Sequence, residues 1–380
     1  MDHIIRRERL VGTFQELVQI DSPSFSERQM ADALAEKLKR IGFSVEEDDV
    51  AAKIGGNAGN LYAFLPGTLN AEPLLFCGHM DTVAPAINKR AVLDADGTIR
   101  SAGDTVLGAD DLAAVSSILE ATSALEENGI PHRPIEVLFT VTEEAYGPGI
   151  SNFDFSRIRS HDAYVFDYDG PVGSAAICSP TLLKFDVAVD GVSSHAGFAP
   201  EKGISAIRAA AEAISKIPCG RVAPNATLNF GRIEGGVQTN IVPAACTVKG
   251  EIRSTDHDLA LSLLKELESV FREVCEKCGA RVSVAHQVMV HAYATPADSS
   301  VVRRYQRVCE KLGLKTELVT TYGCSDNNVL ARHGISGIVA ACGMHNCHTC
   351  GEYTTVGELE QTAHIVAELM CTSDGAEVCG

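Results

Sequence analysis

The sequence predicts an α/β fold: a parallel-type mixed sheet flanked by helices, into which a smaller α+β domain is inserted. Apolar strands and amphipathic helices alternate along the first 180 residues and again from residue 294 onward, an order typical of a parallel sheet. Between them, apolar and polar residues alternate within the strands, which indicates a sheet with one solvated face. We therefore expect a discontinuous α/β domain of residues 1–180 and 294–380, and an inserted domain of residues 181–293.

Composition places the chain among ordinary globular proteins and argues against two classes of partner. Its 380 residues are 45% hydrophobic and 22% charged, which allows a sizeable core. The net charge of −18 disfavours binding to nucleic acid or to an acidic membrane surface. No stretch of about 18 apolar residues is present, and the charged start MDHIIRRERL is unlike an export signal, so we expect a cytoplasmic protein.

Thirteen cysteines are scattered along the chain, and without an export signal we expect reduced thiols. Two CxxC pairs occur, at residues 275–278 and 347–350. Their spacing does not combine into a zinc-finger pattern, and the first pair lies on a predicted amphipathic helix. A structural zinc site or a redox pair is therefore not the favoured interpretation of these cysteines.

Apolar periodicity predicts the elements of the α/β part. Helices are expected at residues 26–41, 111–127, 302–308, 325–334 and 356–370. Strands are expected at residues 44–50, 60–65, 74–78, 135–141, 163–167, 317–321 and 337–342. Several of these strands are followed by His, Asp or Glu. Because ligands bind beyond the carboxyl ends of parallel strands, we expect these side chains to form the site.

The inserted domain has a different pattern. Within residues 184–190, Phe185, Val187 and Val189 alternate with charged or small residues, as in a strand with one buried face. The elements that follow are a helix near 204–214, strands at 226–233 and 246–253, a helix at 257–278 and a strand at 281–290. This βαββαβ order is ferredoxin-like.

Polar side chains at strand ends and at one helix start form the candidate chemical site: His79, Asp81, Asp110, Asp111, Glu143, Glu144, Asp169 and His348. His79 and Asp81 are two residues apart, so in an extended chain they point to the same side. Two histidines with several carboxylates are a ligand set for two divalent metal ions, zinc first, with manganese or cobalt as alternatives. A carboxylate that is not a ligand must take a proton from water, and Glu143 and Glu144 can divide these roles.

These residues lie in the segments GHMDTV, LGADDLAAV, TVTEEAYGPG, DYDG and NCHTCGE. Together the segments resemble the co-catalytic zinc exopeptidases of the aminoacylase and carboxypeptidase G type, and most of all the peptidase T-like proteins. The resemblance covers nearly the whole chain. It implies the zinc exopeptidase fold, with a di-metal catalytic domain formed by the two outer parts of the chain. It also implies that residues 181–293 are a lid and dimerisation domain, and that the protein is a homodimer.

The resemblance implies a ligand set for two metal ions. His79 and Asp169 are expected to bind the first ion, and Asp110 is expected to bridge both. Glu144 and His348 are expected to bind the second ion. The peptide bond that follows Asp110 is expected to be cis.

The resemblance also implies which residues act beside the metal ions. Glu143 is expected to be the general base, and the Asp81 carboxylate is expected to orient His79. His345 is the rival of His348 as a ligand. We prefer His348 because a glutamate follows it by four residues, as in the HxxxE pattern of the family.

The resemblance implies that four residues act on the substrate. His195, in SSHAG, would reach the active site of the partner subunit and stabilise the developing oxyanion. Asn240 and Arg253 would contact the substrate's carbonyl or carboxylate group, with a surface cation as the alternative for Arg253. Asp326 would lie at the substrate, in a Gly-Cys-Ser-Asp loop that departs at two positions from the Gly-Gly-Thr-Asp loop of the family.

The function expected first is a tripeptide aminopeptidase that hydrolyses the N-terminal peptide bond of short peptides. An N-acyl-amino-acid amidohydrolase or a dipeptidase would use the same two-metal mechanism with a different pocket. A non-catalytic binding protein on the same fold is the third interpretation. The presence of Glu143 argues against that third interpretation, because a protein without catalysis does not need the base.

Overall fold

The structure, a computed structural model, describes residues 4–373. Its helices are α1 (Arg7–Val18), α2 (Arg28–Ile41), α3 (Val50–Ile54), α4 (Ala109–Asn128), α5 (Pro148–Ser151), α6 (Ala206–Lys216), α7 (His257–Cys278), α8 (Ser300–Lys311), α9 (Asn327–Arg332) and α10 (Val356–Met370). Its strands are β1 (Ser44–Glu47), β2 (Leu61–Leu65), β3 (Leu74–His79), β4 (Ala91–Leu93), β5 (Thr98–Ser101), β6 (Ile135–Thr140), β7 (Asp162–Tyr168), β8 (Ser174–Ser179), β9 (Thr181–Asp190), β10 (Gly220–Ala223), β11 (Ala226–Gly235), β12 (Ala245–Ser254), β13 (Arg281–Val290), β14 (Tyr293–Ala294), β15 (Glu317–Thr320), β16 (Ser336–Ala341) and β17 (Tyr353–Thr355).

The chain divides into two compact units. Unit 1 comprises the residues through Cys178, Thr295–Thr321 and the residues from Ser325 onward. Unit 2 comprises Ser179–Ala294 and Tyr322–Cys324. Among the described residues, no helix is both long enough and apolar enough to cross a membrane.

Unit 1 contains a mixed sheet in the order β1–β2–β6–β3–β7–β16–β8, with β15 beside β8. The four central strands, β6, β3, β7 and β16, run parallel, whereas β1–β2, β2–β6 and β16–β8 are antiparallel pairs. The predicted parallel-type mixed sheet is therefore confirmed. Since parallel strands share one direction, the carboxyl ends of β3, β6 and β7 meet at one edge of this sheet.

Helix α4 packs against this sheet and is buried along most of its length. It contacts β3, α1 and α10. At Gly78, near the end of β3, an added Cβ would lie 2.7 Å from Asp111 Oδ2 and 3.4 Å from Val115 Cγ2. The missing side chain thus allows the acidic start of α4 to approach the end of β3.

Helix α1 and strand β8 are among the elements of unit 1 that were not predicted. Helix α1 buries Leu10, Phe14 and Leu17, which recur at helical spacing but begin within a charged segment. Strand β8 has the sequence SAAICS, whose small residues carry no alternating pattern. Its neighbours β16 and β15 supply the pairing that the local sequence does not indicate.

Unit 2 contains an antiparallel sheet in the order β10–β11–β12–β9–β13. Apart from the short β10, the order of its elements is the predicted βαββαβ. Helices α6 and α7 cover one face, where Phe185, Val187 and Val189 pack with apolar residues of both helices. The other face carries polar side chains, as the alternation in β9 predicts.

Candidate metal centre

His79 ends strand β3 and is almost fully buried. Its Nδ1 lies 2.9 Å from the carbonyl oxygen of Asp81, and its Nε2 lies 2.9 Å from Oδ1 of Asp110. Because a carbonyl oxygen only accepts, Nδ1 is the donor, which leaves Nε2 to bind a metal ion. The Asp81 carbonyl therefore orients this ring; the Asp81 carboxylate, to which the sequence assigned that role, is 3.6 Å away.

Asp110 lies between two imidazoles. Its Oδ1 faces His79, and its Oδ2 is 3.2 Å from Nε2 of His348. The peptide bond that follows Asp110 is cis, as the resemblance implies. Glu352 fixes this loop, since its carboxylate accepts the N–H groups of Gly108 at 2.6 Å and of Asp110 at 2.9 Å. A carboxylate with one oxygen toward each of two histidines has the arrangement expected of a bridging ligand.

The two adjacent glutamates follow strand β6 in a short 3-10 turn, Glu143–Ala145. Glu144 Oε2 lies 3.1 Å from Nε2 of His348, and Glu144, His79 and Asp110 offer ligand atoms within 4.8 Å of one another. The other Glu144 oxygen, Oε1, is buried and has no hydrogen-bond partner among the described residues. Such an oxygen is free to bind a cation.

The structure corrects the assignment of Asp169 as a metal ligand. Asp169 follows the end of β7 and is exposed. Asp167, which precedes it by two residues, joins His79 and Glu143 in a second group whose ligand atoms lie within 4.8 Å of one another. The register of β3 against β7 explains the difference. Leu74 lies opposite Asp162, and His79 and Asp167 follow these two residues at the same distance along their strands. Continuing the register therefore brings His79 beside Asp167.

The Asp81 carboxylate holds the glutamate turn. It accepts the backbone N–H of Glu143 at 3.0 Å and that of Glu144 at 3.2 Å. The Ser24 hydroxyl donates to the same carboxylate at 2.6 Å. Asp81 is fully buried, so these three donors replace the water that the carboxylate loses.

Burial and mutual charge dominate the electrostatics of this cluster. Burial raises the pKa values of Glu143 and Asp167 well above their usual range. Burial alone would also raise the pKa of Asp110, but the bonds to His348 and His79 hold it well below its usual range. The bonds to Asp110 and Glu144 raise the pKa of His348 to about 10.

These residues fit a pair of divalent metal ions. The donor set combines two imidazole nitrogens with the carboxylates of Asp110, Glu144 and Asp167, which suits zinc or a similar ion. The ion pairs described for Asp110 and Glu144 join these carboxylates only to the imidazoles of His79 and His348. A divalent ion on each side of Asp110 would offset the repulsion among the carboxylates.

His195 and Asn240 lie in unit 2 on neighbouring loops. The Ala196 N–H donates to the backbone oxygen of Asn240 at 2.9 Å, and both side chains are in exposed residues. His195 Nδ1 accepts the N–H groups of Gly197 at 3.1 Å and Phe198 at 3.2 Å. In the neutral ring the proton is therefore on Nε2, which is a donor.

Arg253 also lies in unit 2, where it is partly buried. Its Nε donates to Glu251 at 2.8 Å, and its Nη1 donates to the backbone oxygen of Tyr322 at 2.7 Å. These contacts fix the guanidinium at the end of β12.

The remaining predicted residues lie in unit 1. Asp326 is 2% exposed and accepts the Thr140 hydroxyl at 2.5 Å, so its carboxylate is buried, and its expected contact with the substrate stays a prediction. His345 Nε2 lies 2.7 Å from Glu358, and its ring stacks on Tyr353, so it belongs to a structural contact. Asp111 accepts the backbone N–H of His79 at 3.1 Å and is fully buried.

Sequence reasoning missed Asp167 and Glu27 as site residues. Asp167 lies within the predicted strand 163–167, and only the register of β7 against β3 singles it out. Glu27 lies outside every segment that carries the resemblance, although its carboxylate accepts the N–H of Thr142, in one of those segments, at 3.1 Å. Only the three-dimensional structure reveals that contact.

Two protein-family models match the chain. A model described as a peptidase dimerisation domain matches residues 180–277, and a model described as peptidase family M28 matches residues 60–191. The protein YqjE from Bacillus subtilis (strain 168) is 37% identical over 367 residues, which are 97% of this chain and 99% of that protein.

Two solved structures are similar over almost their whole length. The aminopeptidase PepT from Bacillus cereus ATCC 10987 has a TM-score of 0.92 and 38% identity, covering 97% of this chain and 98% of that chain. A tripeptidase from Staphylococcus aureus subsp. aureus Mu50 has a TM-score of 0.95 and 32% identity, again covering 97% and 98%. Sequence identity of 38% and 32% over 97% of this chain indicates a closer relationship than a shared fold alone.

Proposed function

Because this chain belongs to the peptidase T-like branch of the aminoacylase and carboxypeptidase G family of co-catalytic metallo-exopeptidases, we propose that it is an aminopeptidase that cleaves the N-terminal peptide bond of short peptides, tripeptides first. The observation that carries this proposal is the position of Asp110, with one carboxylate oxygen facing His79 and the other facing His348. The names of the two similar solved structures, an aminopeptidase and a tripeptidase, support the choice of substrate.

In this proposal Asp110 would hold one divalent ion on each side. His79, Asp110 and Asp167 would bind the first, and Asp110, Glu144 and His348 would bind the second. Zinc fits the mixed imidazole and carboxylate donors, and manganese or cobalt are the alternatives. When bound, such ions supply Lewis-acid activation of water and of the scissile carbonyl group.

Glu143 acts as the general base. It lies beside His79 and Asp167 but is not needed as a ligand, so it can exchange protons with water. Burial raises the pKa of Glu143 well above its usual range, which favours proton uptake. Glu143 takes the proton from the attacking water and then gives it to the nitrogen of the leaving amine. Asp81 keeps this carboxylate in place through the backbone of the turn.

His195 is the proposed donor to the developing oxyanion. The backbone N–H groups of Gly197 and Phe198 occupy Nδ1, so Nε2 carries the proton that a negatively charged oxygen requires. Asn240, on the neighbouring loop, would bind the substrate together with Arg253. The resemblance places this histidine in the active site of the partner subunit, so the proposal includes a homodimer.

Unit 2 supports the homodimer. The described residues of unit 2 include five exposed large apolar side chains, Val192, Phe198, Ile207, Ile233 and Val237. Phe198 is 86% exposed and Val237 is 79% exposed, so both apolar side chains are largely open to solvent in a single chain. The matched peptidase dimerisation domain covers all five.

The first experiment measures metal content per chain together with hydrolysis of a tripeptide, with and without a chelator. About two ions per chain and cleavage that the chelator abolishes are expected. Acetylation of the substrate's amino terminus should then abolish cleavage, because an aminopeptidase requires a free amine. Cleavage of the acetylated peptide alone would contradict the aminopeptidase and favour an N-acyl-amino-acid amidohydrolase.

A further inference from the structure

Glu27 is a fully buried carboxylate next to the glutamate turn. It immediately precedes α2, yet its side chain does not cap that helix. The first N–H of α2, on Arg28, is taken instead by the side chain of Asn57 at 3.0 Å. The Glu27 carboxylate is thus available for other contacts.

Those contacts reach across the chain to the residue before the base. Glu27 Oε1 accepts the N–H of Phe25 at 2.9 Å and the N–H of Thr142 at 3.1 Å. Thr142 has φ +59°, a left-handed conformation that a β-branched residue rarely adopts. The conformation of this residue sets the direction in which the next side chain, Glu143, leaves the sheet edge.

Three consecutive N–H groups of the turn end on buried carboxylates. Glu27 accepts that of Thr142, and Asp81 accepts those of Glu143 and Glu144. The side-chain oxygen of Asn60 accepts the N–H of Val141 just before them at 3.1 Å. Without Glu27, the N–H of Thr142 would lose its acceptor in a place that excludes water.

We propose that Glu27 is a positioning residue of the active site, which fixes the backbone at Thr142 and thereby aims Glu143 at water and Glu144 at the second metal ion. This inference rests on the proposed function for the role of Glu143. It goes beyond that function because Glu27 lies outside every segment that carries the family resemblance.

Glu136 supplies a matched control. It is also fully buried, lies in β6 at the end away from the turn, and accepts the N–H groups of Arg159 at 3.0 Å and Ser160 at 2.8 Å. Loss of either carboxylate should lower thermal stability. Only loss of Glu27 should alter the chemistry.

The experiment compares Glu27→Ala, Glu27→Gln and Glu136→Ala in the full chain. It measures Mn²⁺ affinity by competition with a chelating dye, and kcat and KM for a tripeptide at saturating Mn²⁺. Glu27→Ala should lower the Mn²⁺ affinity and kcat by about 10-fold to 100-fold each, with KM nearly unchanged. Glu27→Gln, whose amide oxygen still accepts both N–H groups, should restore both values to within about threefold of wild type.

Several outcomes would overturn the inference. Glu27→Ala with wild-type Mn²⁺ affinity and kcat would do so, as would losses no larger than those of Glu136→Ala. If Glu27→Ala does not fold, Glu27→Asp, one methylene shorter, carries the same test, and wild-type values for it would count against the role. If the wild-type protein cleaves no peptide, the proposed function fails, and the Mn²⁺ affinities of the three variants still decide the role of Glu27.

Discussion

The two units treat charge in opposite ways. Unit 1 buries carboxylates at one edge of its sheet: Glu27, Asp81, Asp110, Asp111, Asp326 and Glu352. Among the described residues of unit 2, no Asp, Glu, Lys, Arg or His is buried. Unit 2 keeps its charges in water, as in the pair of Lys249 and Asp186, whose side chains are 54% and 57% exposed.

This difference separates a chemical site from an interaction surface. Burial of a charged group costs several kcal/mol unless an opposite charge or hydrogen bonds compensate it. Unit 1 concentrates six of its buried carboxylates at this edge, where they surround two imidazoles and a bound cation would offset the cost. Unit 2 bears no such cost, and its unusual feature is exposed apolar surface. The first arrangement suits metal binding, and the second suits contact with another protein chain.

Replacement of Glu143 by Gln has the largest expected effect. The amide cannot take a proton from water, so kcat for a tripeptide should fall by about 10³-fold. The metal content should remain that of the wild type, because the proposed ligands are unchanged. Glu234→Gln, at an exposed carboxylate of unit 2, should leave kcat unaltered. Retained turnover in Glu143→Gln would mean that another group is the base.

Paired substitutions at Asp167 and Asp169 test which carboxylate belongs to the centre. Asp167→Asn should lower metal affinity by at least about 100-fold, because it removes a negative oxygen beside His79. Asp169→Asn should change the affinity by less than about threefold, since Asp169 is exposed. Titration with Zn²⁺ and Mn²⁺ measures both effects. Equal losses in the two variants would contradict the assignment of Asp167.

The sequence predicted most of the cluster because its members lie at strand and helix ends. His79, Asp110, Glu144 and His348 each follow or begin an element whose apolar pattern is strong, and the structure brings all four together. The ferredoxin-like order of unit 2 was predicted for the same reason. Local pattern sets element type, and parallel strands then bring their ends to one edge.

The errors have a different origin. The sequence could not choose between Asp167 and Asp169, because that choice depends on the register of β7 against β3. It did not indicate Glu27, whose acceptor contact with Thr142 spans 115 residues. It did not indicate that Asp326 is buried and accepts the Thr140 hydroxyl. All three depend on tertiary packing, which no local periodicity encodes.

A charge introduced at Val237 tests the surface of unit 2. Val237 is 79% exposed, and near it the side chain of Ile207 lies against the backbone of Gly235 and Gly236. Val237→Glu should raise the dissociation constant of the proposed dimer by at least about tenfold, because the proposed interface would bury a charge. Sedimentation velocity measures the change, with Ser262→Glu on the exposed side of α7 as the control. An unchanged dissociation constant would place the interface elsewhere.

Lys89 is a cation that unit 1 buries. Its Nζ donates to the oxygens of Ile20 at 3.2 Å, Thr82 at 3.2 Å and Ala86 at 3.4 Å, all of them neutral. Burial lowers the pKa of Lys89 to about 8, although the nearby Asp21 charge partly opposes this shift. Between about pH 8 and pH 10.5, Lys89 is therefore protonated in the unfolded chain and neutral in the folded chain.

Because the unfolded state binds more protons in that window, the contribution of Lys89 to the free energy of unfolding rises with pH there, by about 3 kcal/mol at most. Lys89→Met should remove this rise, whereas Lys39→Met, at an exposed lysine, should keep it. Urea unfolding at several values between pH 7.5 and about 10.5 measures the difference between the two variants. The same pH dependence in both variants would show that the burial of this charge carries no cost, and the contrast in charge between the two units would then have to rest on the carboxylates alone.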